Sequence, residues 1–198
     1  SHIQSLFEKV SEALDHAEVL ITGGSLPKCI TRDIFQPLIR MAREKGVPVV
    51  FDSSHPHLLA GLAARPDVVK PNSKELASVV GYPITTLEDA YRAATQVKAQ
   101  YGSQVVATLG SMGGLAVLDA GSFYIPPPPI SKIVSTAGAG DAVLAGIAWA
   151  LAFQQPLEEG LRLGFAAAGA VLQTPATADC RKEDVMRFLP AIELIPYP

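Results

Sequence analysis

The sequence predicts an α/β protein with a mainly parallel sheet and one antiparallel hairpin. Three observations carry that expectation. Short apolar runs such as Val47 to Phe51, Val68-Val69 and Val105 to Leu109 alternate with segments of helical periodicity. Leu115 to Leu118 and Phe123 to Ile125 flank Ala120-Gly121, the pattern of a hairpin. The chain has 198 residues, 48% hydrophobic and 18% charged, with no internal repeat, low-complexity tail or linker; it suits a single domain over 1–198 with one sizeable core.

The elements follow in order. Ile3, Leu6, Phe7, Val10 and Leu14 share one helical face, so the chain opens on an amphipathic helix. Val19 to Thr22 reads as a buried strand, and Gly23-Gly24-Ser25-Leu26-Pro27 as the loop after it. Ile34, Leu38, Ile39 and Met41-Ala42 mark a helix closed by Gly46. The Val47–Phe51 strand ends at Asp52-Ser53-Ser54, and a short helix through Leu58, Leu59 and Leu62 leads to Val68-Val69, stopped by Pro71. Ser73 to Val80 is a further helix. Thr86 and Asp89 form a capping box with Asp in place of Glu or Gln, opening a helix to Tyr101. The prolines from Pro126 to Pro129 make a stiff extended connection. Ile133-Val134 is apolar and suited to a buried strand, Ala142 to Leu151 to a buried helix, and Leu161 to Leu172 to a second one. Pro175 interrupts, and Glu183 to Leu189 is the last helix.

Charge and composition exclude several classes of function. A net charge of −3 gives no electrostatic footprint for nucleic acid or an anionic membrane. The alanine-rich stretch around Trp149 is broken by Gln154-Gln155-Pro156, too early for a membrane span. The opening residues lack the basic-then-apolar order of a secretory signal. Cys29 and Cys180 suggest neither a disulfide framework nor a zinc site, and are expected to be buried thiols in a reducing cytoplasm. His2, His16, His55 and His57 share no metal-ligand spacing, and the last two are expected to be exposed.

The chemistry concentrates in Ser135-Thr136-Ala137-Gly138-Ala139-Gly140-Asp141. Two glycines before an apolar helix let a ligand approach main-chain N–H groups, and the start of a helix favours anions. Asp141 reads either as the helix N-cap or as a base beside that anion site. Asn72 and Glu75 read locally as a cap and a first-turn charge. Thr108-Leu109-Gly110-Ser111-Met112-Gly113-Gly114 reads as a tight turn between strands; Asp52, at a strand end where a catalytic carboxylate could stand, reads first as a cap for the loop that follows it. A dinucleotide fingerprint fails because Val143 stands at the third glycine position, and no Walker A motif occurs.

The segment Ser135 to Gly146 resembles the second signature of the PfkB (ribokinase-like) carbohydrate kinases, and Asn72-x-x-Glu75 and Thr108–Gly114 resemble two further segments of that family, in the same order. The resemblance implies a ribokinase-like three-layer α/β/α fold. It implies an anion hole at Gly138, Ala139 and Gly140, with Asp141 as the base that deprotonates a sugar hydroxyl. ATP would be contacted by Lys70, Asn72, Thr108, Gly110, Ser111 and Gly113, and Mg2+ organised by Asn72 and Glu75, mainly through water. Gly24-Ser25-Leu26-Pro27 resembles the loop near the sugar.

Ser135-Thr136 resembles the branch acting on sugar phosphates of the fructose-1-phosphate or tagatose-6-phosphate class, where many free-sugar kinases have Asp-Thr. The alternatives are a kinase for a free sugar or nucleoside, and a non-catalytic nucleotide-binding module. The implied partners are a small-molecule sugar phosphate and a second copy in a homodimer, with no nucleic acid or membrane. The resemblance covers the C-terminal two-thirds of such a kinase, leaving the N-terminal part and lid outside it. An unpaired strand edge near Val19–Thr22, and self-association, are therefore expected.

Overall fold

The computed structural model describes residues 2–27, 30 and 33–198. Cys29 lies outside the described residues. The chain forms two compact units, one running to Ala107 and one from Thr108.

The first unit contains α1 (His2–Leu14), β1 (Leu20–Gly24), α2 (Phe35–Glu44), β2 (Val49–Ser53), α3 (His57–Leu62), β3 (Val68–Val69), α4 (Ser73–Val80), α5 (Leu87–Tyr101) and β4 (Gln104–Thr108), whose last residue opens the second unit. The four strands pair in parallel in chain order. Val49, Val50, Phe51, Val68, Val69, Val105 and Val106 are buried, the continuous apolar pattern of a parallel sheet covered on both faces. The expected capping box of Thr86 with Asp89 forms at α5, and the expected Asn72 cap of α4 goes further than the reading, with Glu75 closing it into a second capping box.

The end of β1 differs from expectation. Gly23 and Gly24 belong to β1, where a loop was expected, and pair with Asp52 and Ser53. A Cβ on Gly23, at φ +151°, would lie 1.6 Å from the Asp52 carbonyl oxygen. The glycine lets β1 press against β2 where any side chain would hold it off. Ile21 is exposed on β1, the terminal strand of the described order.

The second unit contains a 3-10 turn at Gly110–Met112, β5 (Gly114–Val117), β6 (Ser122–Ile125), α6 (Ala139–Ala152), α7 (Leu157–Val171), α8 (Lys182–Phe188), a 3-10 turn at Leu189–Ala191 and β7 (Ile195–Pro196). The hairpin β5–β6 is antiparallel, and β7 adds antiparallel to β6. β7 gave no sequence signal, because two residues, one of them proline, carry no periodicity.

Ile133-Val134 is not a strand. Both residues are exposed, and the Val134 N–H donates to the Leu172 carbonyl at 2.8 Å, beyond the end of α7, instead of to a sheet neighbour. α7 starts at Leu157, four residues before the expected Leu161, because Pro156 occupies the position before the first turn, where its missing N–H costs nothing. From Ala142 to Ala150 α6 is buried except at Ala145 and Trp149, which with Asp141 make one exposed stripe.

Candidate active site

The first unit gathers the charged candidates at the C-terminal ends of β2 and β3 and the start of α4. Asn72 Oδ1 accepts the N–H groups of Lys74 (2.9 Å) and Glu75 (3.0 Å), and Glu75 Oε2 accepts the Asn72 N–H at 2.8 Å. Lys70, two residues earlier, is buried, and its Nζ lies 3.1 Å from Asp52 Oδ2. Asp52 is therefore an ion-pair partner of Lys70, a role its reading as a loop cap did not include. Two opposite charges on adjacent parallel strands, one step past the Phe51–Val69 register, were a signal for this pairing that linear reading missed.

Burial pushes the Glu75 carboxyl above the ordinary carboxylate range. The Asn72 N–H bond opposes that shift, Asp52 adds to it, and Lys70 and the Asn72 side chain again oppose it. A half-buried carboxylate in this state is relieved by a nearby cation. Among the described residues, however, no group of three or more His, Cys, Asp or Glu could cage a metal. Asn72 Oδ1 and Glu75 Oε2 are also already engaged by main-chain N–H groups. The pair fits a hydrated Mg2+ contacted through water, the state this ion favours, and does not fit direct ligation by several side chains.

The second unit supplies the small-residue segments. After β4, Gly110 and Ser111 are exposed in the 3-10 turn, while Gly113 is buried, and Thr108 is half-buried. The N-cap of α6 is Gly138 at φ +87°, not Asp141. A Cβ on Gly138 would stand 2.3 Å from the Ala178 N atom, so the loop after α7 closes directly on the turn. Ala139, Gly140 and Asp141 form the first helical turn, with Asp141 exposed. The Ala139 N–H makes a long contact of 3.5 Å to the Thr136 carbonyl, and the Ala142 N–H donates to Gly138. The N–H groups of Gly140 and Asp141 belong to the set for which a helix has no internal acceptor.

Lys70, Asn72 and Glu75 thus stand together in one unit, and Gly138–Asp141 in a single turn of the other. Gly24 accepts the Ser53 hydroxyl at 2.9 Å through its carbonyl. His57 is half-buried with its ring edge against Phe35 (5.8 Å between centroids), where exposure was expected. Cys180 is a free, half-buried thiol, less enclosed than expected, and burial raises its pKa, with Asp179 and Asp184 adding to the effect. No helix among the described residues is long and apolar enough to cross a membrane.

Comparison with known proteins matches residues 2–184 to the family model described as pfkB family carbohydrate kinase. The chain is 36% identical over 151 residues to the 1-phosphofructokinase of Haemophilus influenzae, covering 76% of this chain and 48% of that protein. It is 34% identical over 187 residues to the ATP-dependent 6-phosphofructokinase isozyme 2 of Escherichia coli, covering 93% and 60%. Among solved structures it is similar to phosphofructokinase-2 of Escherichia coli in complex with potassium (TM-score 0.83, 32% identity, 93% of this chain and 61% of that one). It is also similar to Arabidopsis thaliana ribokinase complexed with ribose and ATP (TM-score 0.77, 25% identity, 92% and 59%). The chain spans about half to three-fifths of the length of these curated relatives.

Proposed function

Because the chain belongs to the pfkB family of carbohydrate kinases, we propose that it carries the nucleotide-binding and base-bearing part of a kinase that transfers the γ-phosphoryl group of ATP to a hydroxyl of a sugar phosphate. In this reading the two units act as one kinase domain. The observation that carries it is the glycine-capped first turn of α6, which presents main-chain N–H groups beside an exposed carboxylate.

Asp141 takes the proton from the acceptor hydroxyl as that oxygen attacks the γ-phosphorus. The N–H groups of Ala139, Gly140 and Asp141, following Gly138, stabilise charge on the group in transfer, at the positive end of the α6 dipole. Thr108, Gly110, Ser111 and Gly113 line the nucleotide, and Lys70 faces its phosphates. Asn72 and Glu75 would hold Mg2+ through water, and the ion would supply positive charge to offset that of the phosphates. Catalysis of this kind is mostly positioning and electrostatics.

The sugar-phosphate class is favoured by Ser135-Thr136 and by the phosphofructokinases among the relatives. A coupled ADP-release assay on a full-length kinase carrying this chain, over fructose-1-phosphate, fructose-6-phosphate, tagatose-6-phosphate, fructose and ribose, tests it. The expected result is turnover confined to phosphorylated acceptors; turnover with free sugars alone overturns the substrate class.

A further inference from the structure

The proposed chemistry leaves Asp52 without a part, yet Asp52 is the ion-pair partner of Lys70, the one buried charged residue among the described residues. Lysine is rarely fully buried. A buried ion pair is also a weak source of stability, since apolar residues of similar volume commonly do as well. Folding alone gives little reason for this pair.

Its geometry gives a better one. Asp52 and Lys70 stand one step past the Phe51–Val69 register, and the Lys70 N–H donates to the Phe51 carbonyl at 3.0 Å. On its other side Asp52 pairs with Gly23, whose lack of a side chain brings β1 against it. The main chains of both charged residues are therefore fixed by the sheet. The 3.1 Å contact between Oδ2 and Nζ fixes the far ends of their side chains. Pro71 and Asn72 follow at once, and Asn72 heads the helix whose first turn holds Glu75. A lysine stem is flexible and its ammonium is a mobile point charge unless something holds it.

Resting on the kinase reading above, we infer that Asp52 is a positioning residue, whose carboxylate holds the Lys70 ammonium beside the Asn72–Glu75 cap at a set place for the anionic phosphates of a nucleoside triphosphate. Asp52 touches no phosphate and acts through Lys70.

Titration calorimetry with MgATP and with adenosine, on wild type, Asp52→Asn, Lys70→Met and the double variant, tests this, with thermal unfolding recorded for each. Wild type binds MgATP more tightly than adenosine. Asp52→Asn loses about tenfold of that preference while its adenosine affinity stays unchanged, the loss of a charge-assisted contact. Lys70→Met loses the preference too, and the double variant is no worse than Lys70→Met. Full preference retained in Asp52→Asn overturns the inference, as does a further loss when Asp52→Asn is added to Lys70→Met. If Asp52→Asn does not fold, the double variant removes the unpaired ammonium, and its comparison with Lys70→Met decides. A wild type without preference for MgATP overturns both this inference and the phosphate role of Lys70. A wild type that prefers MgATP but turns over no sugar overturns only the kinase reading, and the Asp52→Asn comparison still decides the inference.

Discussion

At the scale of the residue, Glu75 carries two tasks that can be separated. Its Oε2 closes the capping box on the Asn72 N–H, which a Gln at the same position also does. Its charge is opposed by burial and by Asp52, so its carboxyl titrates above the ordinary value. A carboxyl with a raised folded pKa favours the folded state below the unfolded pKa of about 4.5 and loses that contribution as pH rises through the folded value. Glu75→Gln keeps the cap and does not ionise. Its unfolding temperature relative to wild type is therefore expected to rise between pH 4 and neutrality, as followed by thermal melts over that range. The same variant is expected to need more Mg2+ for half-maximal activity, because it removes a charge from the outer shell of the ion. An unchanged Mg2+ titration would leave Glu75 as a cap alone.

At the scale of the element, α6 depends on glycines at its start and along its buried face. Gly138→Ala places a Cβ against the Ala178 backbone at a positive φ, and is expected to cost about 1–3 kcal/mol, read from denaturant midpoints. Gly146→Ala meets the Gly160 carbonyl at 2.3 Å across the α6–α7 contact. The helices must separate to admit it, at about 1–3 kcal/mol on the same scale.

The helices of the first unit were legible because their signals are local: Asn72 with Glu75 and Thr86 with Asp89 give α4 and α5 their starts. The β5–β6 hairpin was legible for the same reason, through Gly121 between alternating apolar runs. Ile133-Val134 was misread because apolar content alone does not say whether a sheet neighbour exists. Gly23 was misread because glycine signals a loop in sequence, whereas here it answers to Asp52 on another strand. Asp52–Lys70 and the Gly138–Ala178 closure share that character: they join residues distant in sequence through register or packing, which no linear pattern records.

At the scale of the whole molecule, the charged cluster lies in one unit and the glycine-rich turn in the other. The proposal that both serve one reaction, and the expectation of a homodimer, are open to measurement. Light scattering at several concentrations is expected to give twice the monomer mass; a monomer throughout overturns the dimer. The central claim is that Asp141 is a base and not a helix cap, a distinction sharpened by Gly138 already filling the cap position. In a full-length kinase carrying this chain, Asp141→Asn should therefore fold as wild type does and bind MgATP with similar affinity. The most direct test is ADP release with a sugar-phosphate acceptor by wild type and Asp141→Asn, side by side with calorimetric MgATP binding. A base at Asp141 means a fall in kcat of roughly 10²–10⁴ with binding retained, and near wild-type turnover in the variant would contradict that role.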